Sequence, residues 1–333
     1  MVRLLNSLAQ KNQREMKQIV VLGGVGLIGS HLCRTLIENG ERVTCIDTRG
    51  VGASPLLHDI IYEERFRYIH HDITHPFDVE CDYIINLASP AAYYAGNDLA
   101  ATALRTDILG SINTLEVARQ SGAKILYASS GEVYGLYHDP TPDEHSTSSL
   151  PQSFEIEGKR AAEALHKAYG GDNRIARLFN TYGSGCALSD RRVIPAMIID
   201  TLYNRDITIY GSGEQQRTFC WVGDIVDGLI KIMNAPKGKE MMVYNLGSNH
   251  EISIRELAEK IISLTGSSSR INHIAARHND PRRKMPNLSR ARKELKWEPS
   301  TSLSEGLKRT VEYIERELTT VEFSRRTWIE VNY

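Results

Sequence analysis

From residue 17 onward, short apolar runs alternate with longer amphipathic stretches. Residues 18–22 form the first apolar run, and the segment 23–29, rich in glycine, follows it directly. Residues 30–38 carry a helical pattern that stops at Asn39-Gly40, and 42–46 is a second strand ending at Asp47. Further strands are predicted at 67–69, 83–87, 124–128 and 174–179, with helices over 104–120 and 158–169. Strands that read as continuous apolar runs between helices predict an α/β fold, a doubly wound parallel sheet of the Rossmann kind. Two later helices have capping-box starts, Ser253 with Glu256 and Ser302 with Glu305. The sequence contains no internal repeat and no low-complexity segment.

Composition narrows the function class. The chain has 333 residues, 41% hydrophobic content and a net charge of -1 from 40 basic and 41 acidic residues. That is enough apolar material for a sizeable core, and the charge balance argues against nucleic acid as a partner. No apolar run reaches the roughly 18 residues of a membrane span, so no membrane partner is expected. The five cysteines, Cys33, Cys45, Cys81, Cys186 and Cys220, are scattered and form no C-x-x-C pair. That usage predicts a reduced, cytoplasmic protein without a structural metal. Residues 1–16 are mixed and polar, unlike a secretory signal, and read either as a loose extension or as an arm on a partner subunit.

The glycine segment carries the strongest local chemistry. Gly23 suits a tight turn, Gly26 a close backbone approach to a pyrophosphate, and Gly29 close helix packing. The helix that follows offers free N–H groups and the positive end of its dipole to phosphates. Asp47 stands about twenty residues on, at a strand end, where an acid bonds the adenosine ribose and favours NAD over NADP. Arg49, close by, is a group that could instead accept a 2′-phosphate.

Several further segments occur in a fixed order: His71-Asp72-Ile73, Asn86-Leu87-Ala88-Ser89-Pro90, Ser129-Ser130-Gly131-Glu132-Val133-Tyr134-Gly135 and Ala176-Arg177-Leu178-Phe179-Asn180-Thr181-Tyr182-Gly183. Tyr210-Gly211-Ser212-Gly213-Glu214-Gln215-Gln216-Arg217, Tyr244-Asn245-Leu246-Gly247-Ser248 and Trp297-Glu298-Pro299 complete the set. Together they resemble the extended short-chain dehydrogenase/reductases of the NAD-dependent epimerase/dehydratase family. Within it, the closest branch resembles the UDP-glucuronate decarboxylases.

The resemblance implies an NAD domain over 17–180 with 223–245, and a smaller, non-contiguous α/β domain for a UDP-sugar over 181–222 with 246–320. It also implies a homodimer, through helices 104–120 and 158–169. By the same resemblance Gly23, Gly26, Leu27, Ile28, Gly29, Asp47, Asp72, Ile73, Leu87, Ala88, Ser89, Thr106 and Lys159 fall at cofactor positions. Asn180, Arg192, Gln215 and Arg217 fall at substrate positions, and so does the pair Arg283 and Lys284. Lys284 matches an arginine that meets the sugar carboxylate in decarboxylases; a slip of one residue would put Arg283 there instead.

The catalytic positions depart from the pattern. Ser130 takes the place of a threonine, and Glu132 matches the family's acid or base. Gly131 stands where decarboxylases have serine, which would leave room beside Glu132. Lys159 is present, but the residue four before it, a tyrosine in relatives, is Glu155. A tyrosine titrates near 10 and a neighbouring ammonium lowers it; a glutamate starts near 4.3 and is lowered further, unless burial raises it. Glu155 is either the native base or a helix ion pair with Lys159, worth roughly 0.2–0.5 kcal/mol. Three functions follow: decarboxylation with an altered proton relay, another UDP-sugar reaction such as epimerisation or dehydration, or binding without turnover.

Overall fold

The computed structural model describes residues 16–90, 97–135, 141–146, 154–238, 241–277 and 280–332, and the side chains of all of these except 97, 98, 155 and 321–332. The N-terminal extension thus lies outside the described residues, apart from Met16.

Seven strands form one parallel sheet: β1 (Gln18–Leu22), β2 (Arg42–Asp47), β3 (Phe66–His70), β4 (Tyr83–Asn86), β5 (Lys124–Ser130), β6 (Asn173–Leu178) and β11 (Met242–Leu246). Their order is β11-β6-β5-β4-β1-β2-β3. The order reverses between β1 and β4, and in doubly wound sheets ligands bind outside the carboxyl ends of the strands at such a reversal. Successive side chains point to opposite faces, and the core divides accordingly. Ile19 and Val21 pack on one side with Leu32 and Leu36 of α1 (Leu27–Glu38) and Ile225 and Leu229 of α5 (Val222–Asn234). Val20 and Leu22 pack on the other with Leu115 and Val117 of α2 (Asn97–Ser121). Each such aliphatic, fully buried, contributes roughly 1.5–3 kcal/mol.

A second, smaller body gathers around three short sheets. β8 (Ile207–Tyr210) pairs with β13 (Ile271–Ile274), and β7 (Thr181–Tyr182) with β10 (Cys220–Trp221). β9 (Gln216–Thr218) lies between β12 (Glu251–Ser253) and β14 (Arg283–Lys284). Its core joins Ile194 and Ile198 of α4 (Val193–Leu202), Leu257 and Ile261 of α6 (Ile254–Thr265) and Leu307 of α7 (Leu303–Asn332). The boundary drawn at 246–320 does not follow the packing throughout. Leu288, Ala291, Leu295 and Trp297 belong to the core of the large sheet, and Trp297 Nε1 donates to Asp224 O of α5 at 3.0 Å.

Two helices begin earlier than their glycines suggest. α1 starts at Leu27, because Gly29 lies inside its first turn, where a Cβ would collide with Gly23 O. α3 (Phe154–Tyr169) starts ahead of Gly158, where α2 packs against it: a Cβ there would be 3.2 Å from Leu104 Cα. Ser253 and Glu256 form the full reciprocal capping box. At Ser302 one half is made, the Glu305 amide donating to Ser302 Oγ at 3.2 Å, while the Glu305 carboxylate accepts from Arg309 at 2.8 Å.

Candidate active site

The cofactor end is built from backbone. Gly23 has φ +75°, and a Cβ on it would stand 2.8 Å from the backbone of Ala88 on the neighbouring β4 end. Gly26 caps α1 with no side-chain bond, and the first turn of α1 holds no acidic residue. That helix end therefore keeps its N–H groups and its positive dipole for an anion. Asp47, buried at the end of β2, fixes the loop: Oδ2 accepts from Val25 N and Oδ1 from Arg49 N, both at 2.9 Å. Arg49 lies over the loop with its Nε 3.6 Å from Asp47 Oδ1. Beyond β3, the Asp72 carboxylate accepts from Thr74 N at 2.9 Å, and the Ile73 carbonyl accepts from Asn113 of α2 at 2.8 Å. After β4, Leu87 N donates to Leu22 O, Asn86 Oδ1 accepts from Ala88 N, and Ser89 Oγ is buried with no partner among the described residues. The Thr106 hydroxyl turns back to Thr102 O at 2.9 Å. A glycine cradle, an uncapped helix end, a strand-end acid and an orphaned hydroxyl fit a dinucleotide.

Where β5 ends, a cavity of about 510 Å³ opens between the two bodies. Leu27 and Ile28 of the first helical turn line it, together with Ser130, Glu132, Asn180, Arg192, Gln215, Arg217 and Lys284. Sequence positions 27 to 284 thus meet in one space, directly beside the glycine loop. Ser130 Oγ accepts from Glu132 N at 3.1 Å, which orients the short turn after β5. Glu132 is gripped from across the cavity, the Lys284 ammonium donating to both its carboxylate oxygens at 2.8 Å.

The other cations named above are paired as well. Arg192, at the start of α4, is bidentate on Asp190, with Nε at 2.9 and 3.0 Å. Arg217 is almost wholly buried and donates to Asp280 and to the carbonyls of Gln216 and Pro281. Gln215 donates to Tyr210 O at 3.1 Å, and Asn180 to Thr218 O at 3.1 Å. Asp190 and Asp280 have no local signal in the sequence; their roles emerge only from the packing.

Two expectations need correction. Arg283 does not line the cavity. Neighbouring strand residues face opposite ways, so while Lys284 points at Glu132, the Arg283 guanidinium goes to Glu251 at 2.6 Å. Nor does Gly131 leave room: a Cβ there would stand 2.7 Å from the ring of Phe179, which fills the space. Lys159, on α3, donates to Ala128 O at 3.0 Å and pairs with Asp107 at 2.9 Å, below the cavity. Glu155 lies in the first turn of α3, with its side chain outside the described ones. Among the described residues, no group of three acids, histidines or cysteines is placed to hold a metal ion, and no helix is long and apolar enough to cross a membrane.

Comparison with known proteins gives a consistent result. Residues 19–247 match the NAD dependent epimerase/dehydratase family. UDP-glucuronic acid decarboxylase 1 of Danio rerio is 38% identical over 317 residues, spanning 92% of this chain and 75% of that protein. UDP-glucuronic acid decarboxylase 3 of Arabidopsis thaliana is 38% identical over 302 residues, 87% of this chain and 86% of that one. Among solved structures, the UDP-glucuronic acid 4-epimerase of Bacillus cereus, in complex with UDP-glucuronic acid and NAD, superposes with a TM-score of 0.82 at 25% identity. The match covers 90% of this chain and 99% of that one. The chain belongs to the NAD dependent epimerase/dehydratase family.

Proposed function

We propose that this family member is an NAD-dependent enzyme that decarboxylates a UDP-hexuronate, UDP-glucuronate above all, with a proton relay that does not use tyrosine. The observation that carries the reading is the meeting of the glycine loop with Ser130, Glu132 and Lys284 around one cavity at the end of β5. NAD held at the glycine loop would supply the hydride acceptor for the sugar C4 and give the hydride back at the end of the cycle, while the C4 hydroxyl proton passes to the relay at Glu155 and returns with it. The Ser130 hydroxyl is placed to hold the C4 oxygen. Oxidation at C4 makes the sugar a β-keto acid, whose C5–C6 bond breaks with loss of CO2 and leaves its electron pair on C5 and the C4 oxygen. Glu132, freed when Lys284 turns to the substrate, takes a proton from water and delivers it to C5 in place of the lost carboxylate. Lys284 meets the carboxylate before it leaves, exchanging Glu132 for the substrate as partner. Arg192 and Arg217 suit the diphosphate, since guanidinium forks match phosphate oxygens.

A specific observation favours a second reading. Lys284 is already neutralised by Glu132, so it offers the sugar carboxylate no charge until that pair opens, and epimerisation at C4 asks for no such exchange. Mass spectrometry of products from NAD and a panel of UDP-sugars separates the two. Decarboxylation yields a UDP-pentose and CO2 from UDP-glucuronate; a hexose epimer, or no product from any sugar, contradicts the first reading. The relay is read from Glu155→Gln and Glu155→Tyr. Tyrosine there should raise turnover by about 10²–10⁴-fold, the usual contribution of a general acid–base group. If Glu155 is itself the base, the amide abolishes activity.

The chain's compartment and assembly belong to the same proposal. Five cysteines, all free and buried, suit the reducing cytoplasm. The exposed Leu109 and Ile112 on α2, which packs beside α3, suit a homodimer through these helices.

A further inference from the structure

Below the carboxyl end of β5 lies a buried polar cluster that the steps above leave unused. Lys159 is 7% exposed, and its ammonium, bonded to Ala128 O and paired with Asp107 Oδ1, sits 4.9 Å from the centre of the Tyr127 ring. The Tyr127 hydroxyl donates to the same Asp107 oxygen at 3.2 Å. The other oxygen of Asp107 is buried with no partner among the described residues. Gly158 makes this approach possible, since a Cβ there would stand 3.0 Å from that oxygen.

The described ionisable groups around the pair are neutral or balanced elsewhere. On β5, burial pushes the Tyr127 phenol well above its ordinary value. On α3, burial pushes His166 down to about 4, and its ring stacks on Tyr127 at 4.7 Å. Glu163, one turn after Lys159, is held by Arg177 at 2.7 and 3.0 Å and by Ser129. Glu157 is held by Arg160 at 2.7 Å, and Glu155, one turn before Lys159, has its side chain outside the described ones. Lys159 and Asp107 are therefore each other's counter-charge in dry surroundings, where an unbalanced unit charge acts strongly.

The oxidised nicotinamide ring is cationic and the reduced ring is neutral. In a doubly wound sheet the cofactor crosses the carboxyl ends of the strands at the reversal of order. Ala128, whose carbonyl anchors the ammonium, is two residues before Ser130 on the cavity wall. A bare ammonium buried there would disfavour the oxidised cofactor relative to the reduced one. We infer that Asp107 is a positioning and charge-balancing residue, which fixes Lys159 beneath the reacting end of the cofactor and cancels its charge, so that the site retains oxidised NAD. Oxidised NAD is the form from which a C4 oxidation starts; in that consequence the inference rests on the function proposed above, while its test needs only the cofactor.

Calorimetric titration of the full chain with NAD, NADH and AMP reads the effect. In Asp107→Asn the ratio of affinities shifts about tenfold or more toward NADH, because a buried ammonium is left unbalanced, while AMP binding is unchanged. In Lys159→Met the bare carboxylate shifts the ratio toward NAD. In the double variant, with neither charge, the ratio returns to within about threefold of the original, as expected for two residues that act through each other. A folded Asp107→Asn that binds NAD and NADH with equal losses overturns the inference, since a purely structural role moves both together. If Asp107→Asn does not fold, Lys159→Met and the double variant decide, and the same ratio in those two as in the original protein overturns it. Failure of the proposed function looks different: the ratio shifts occur, yet every UDP-sugar is left unchanged.

Discussion

The two ends of the site are made of different material. At the glycine loop, recognition is carried by backbone: Gly23, Gly26 and Gly29 bring amides and the start of α1 to where a pyrophosphate belongs, and Asp47 braces the loop through Val25. At the end of β5, side chains prevail, and each cation discussed there already has a partner: Lys284 with Glu132, Arg192 with Asp190, Arg217 with Asp280, and Lys159 with Asp107. The first end is preformed and asks little of its ligand beyond displaced water. The second must exchange internal partners for external ones. Part of the binding energy of a diphosphate there is therefore spent on opening ion pairs, and in return these four cations stay paired until a ligand takes their place.

Acid should destabilise the fold through the packing behind the second end. Folded His166, buried behind Lys159, resists protonation down to about 4, whereas an unfolded histidine takes its proton near 6.5. Its contribution to stability is thus complete above pH 6.5 and is lost as the pH falls toward 4, by roughly 3 kcal/mol across that window. Urea denaturation of the original protein and of His166→Phe, compared at several pH values, isolates this slope. Parallel pH dependences for the two proteins would remove His166 from the account.

At the preformed end, Gly29→Ala drives a Cβ against Gly23 O. The cost should be about 2–3 kcal/mol, the upper range for an overpacked site, and should appear as weaker NAD binding by calorimetry with UDP binding retained. An effect of similar or somewhat smaller size is expected where partners can be exchanged. Arg217→Ala should weaken UDP by about 1.5–3 kcal/mol, the worth of charged hydrogen bonds, while leaving NAD affinity unchanged. Equal losses of both ligands in either variant would mean that the two ends are one coupled unit rather than two.

The same contrast explains what could be read from the chain. The strands, the glycine loop and Asp47 depend on local spacing, and the large sheet follows from them. The resemblance to relatives extended that reading to Ser130, Glu132 and Arg217. The pairs that set the electrostatics were not legible, because Glu132 and Lys284 are 152 positions apart and Arg217 and Asp280 are 63 apart. Gly158 misled for a related reason: it resembles a helix boundary, yet serves a close helix crossing whose other half is Leu104 and Asp107. Gly131 misled likewise, since the missing side chain is compensated by Phe179, far along the sequence. The direction of Arg283 became readable only once the register of β14 against β9 was known.

The claim that joins the two ends is that hydride chemistry at C4 occurs where they meet. UDP-glucuronate carrying deuterium at C4, given to the protein with unlabelled NAD, tests it in one measurement. The expected product is a UDP-pentose that has lost its carboxyl carbon as CO2 and still carries the deuterium at C4, because the hydride leaves the sugar and returns to it without meeting water. A product that keeps its carboxyl group, or one whose C4 deuterium has been replaced by solvent hydrogen, would contradict the account.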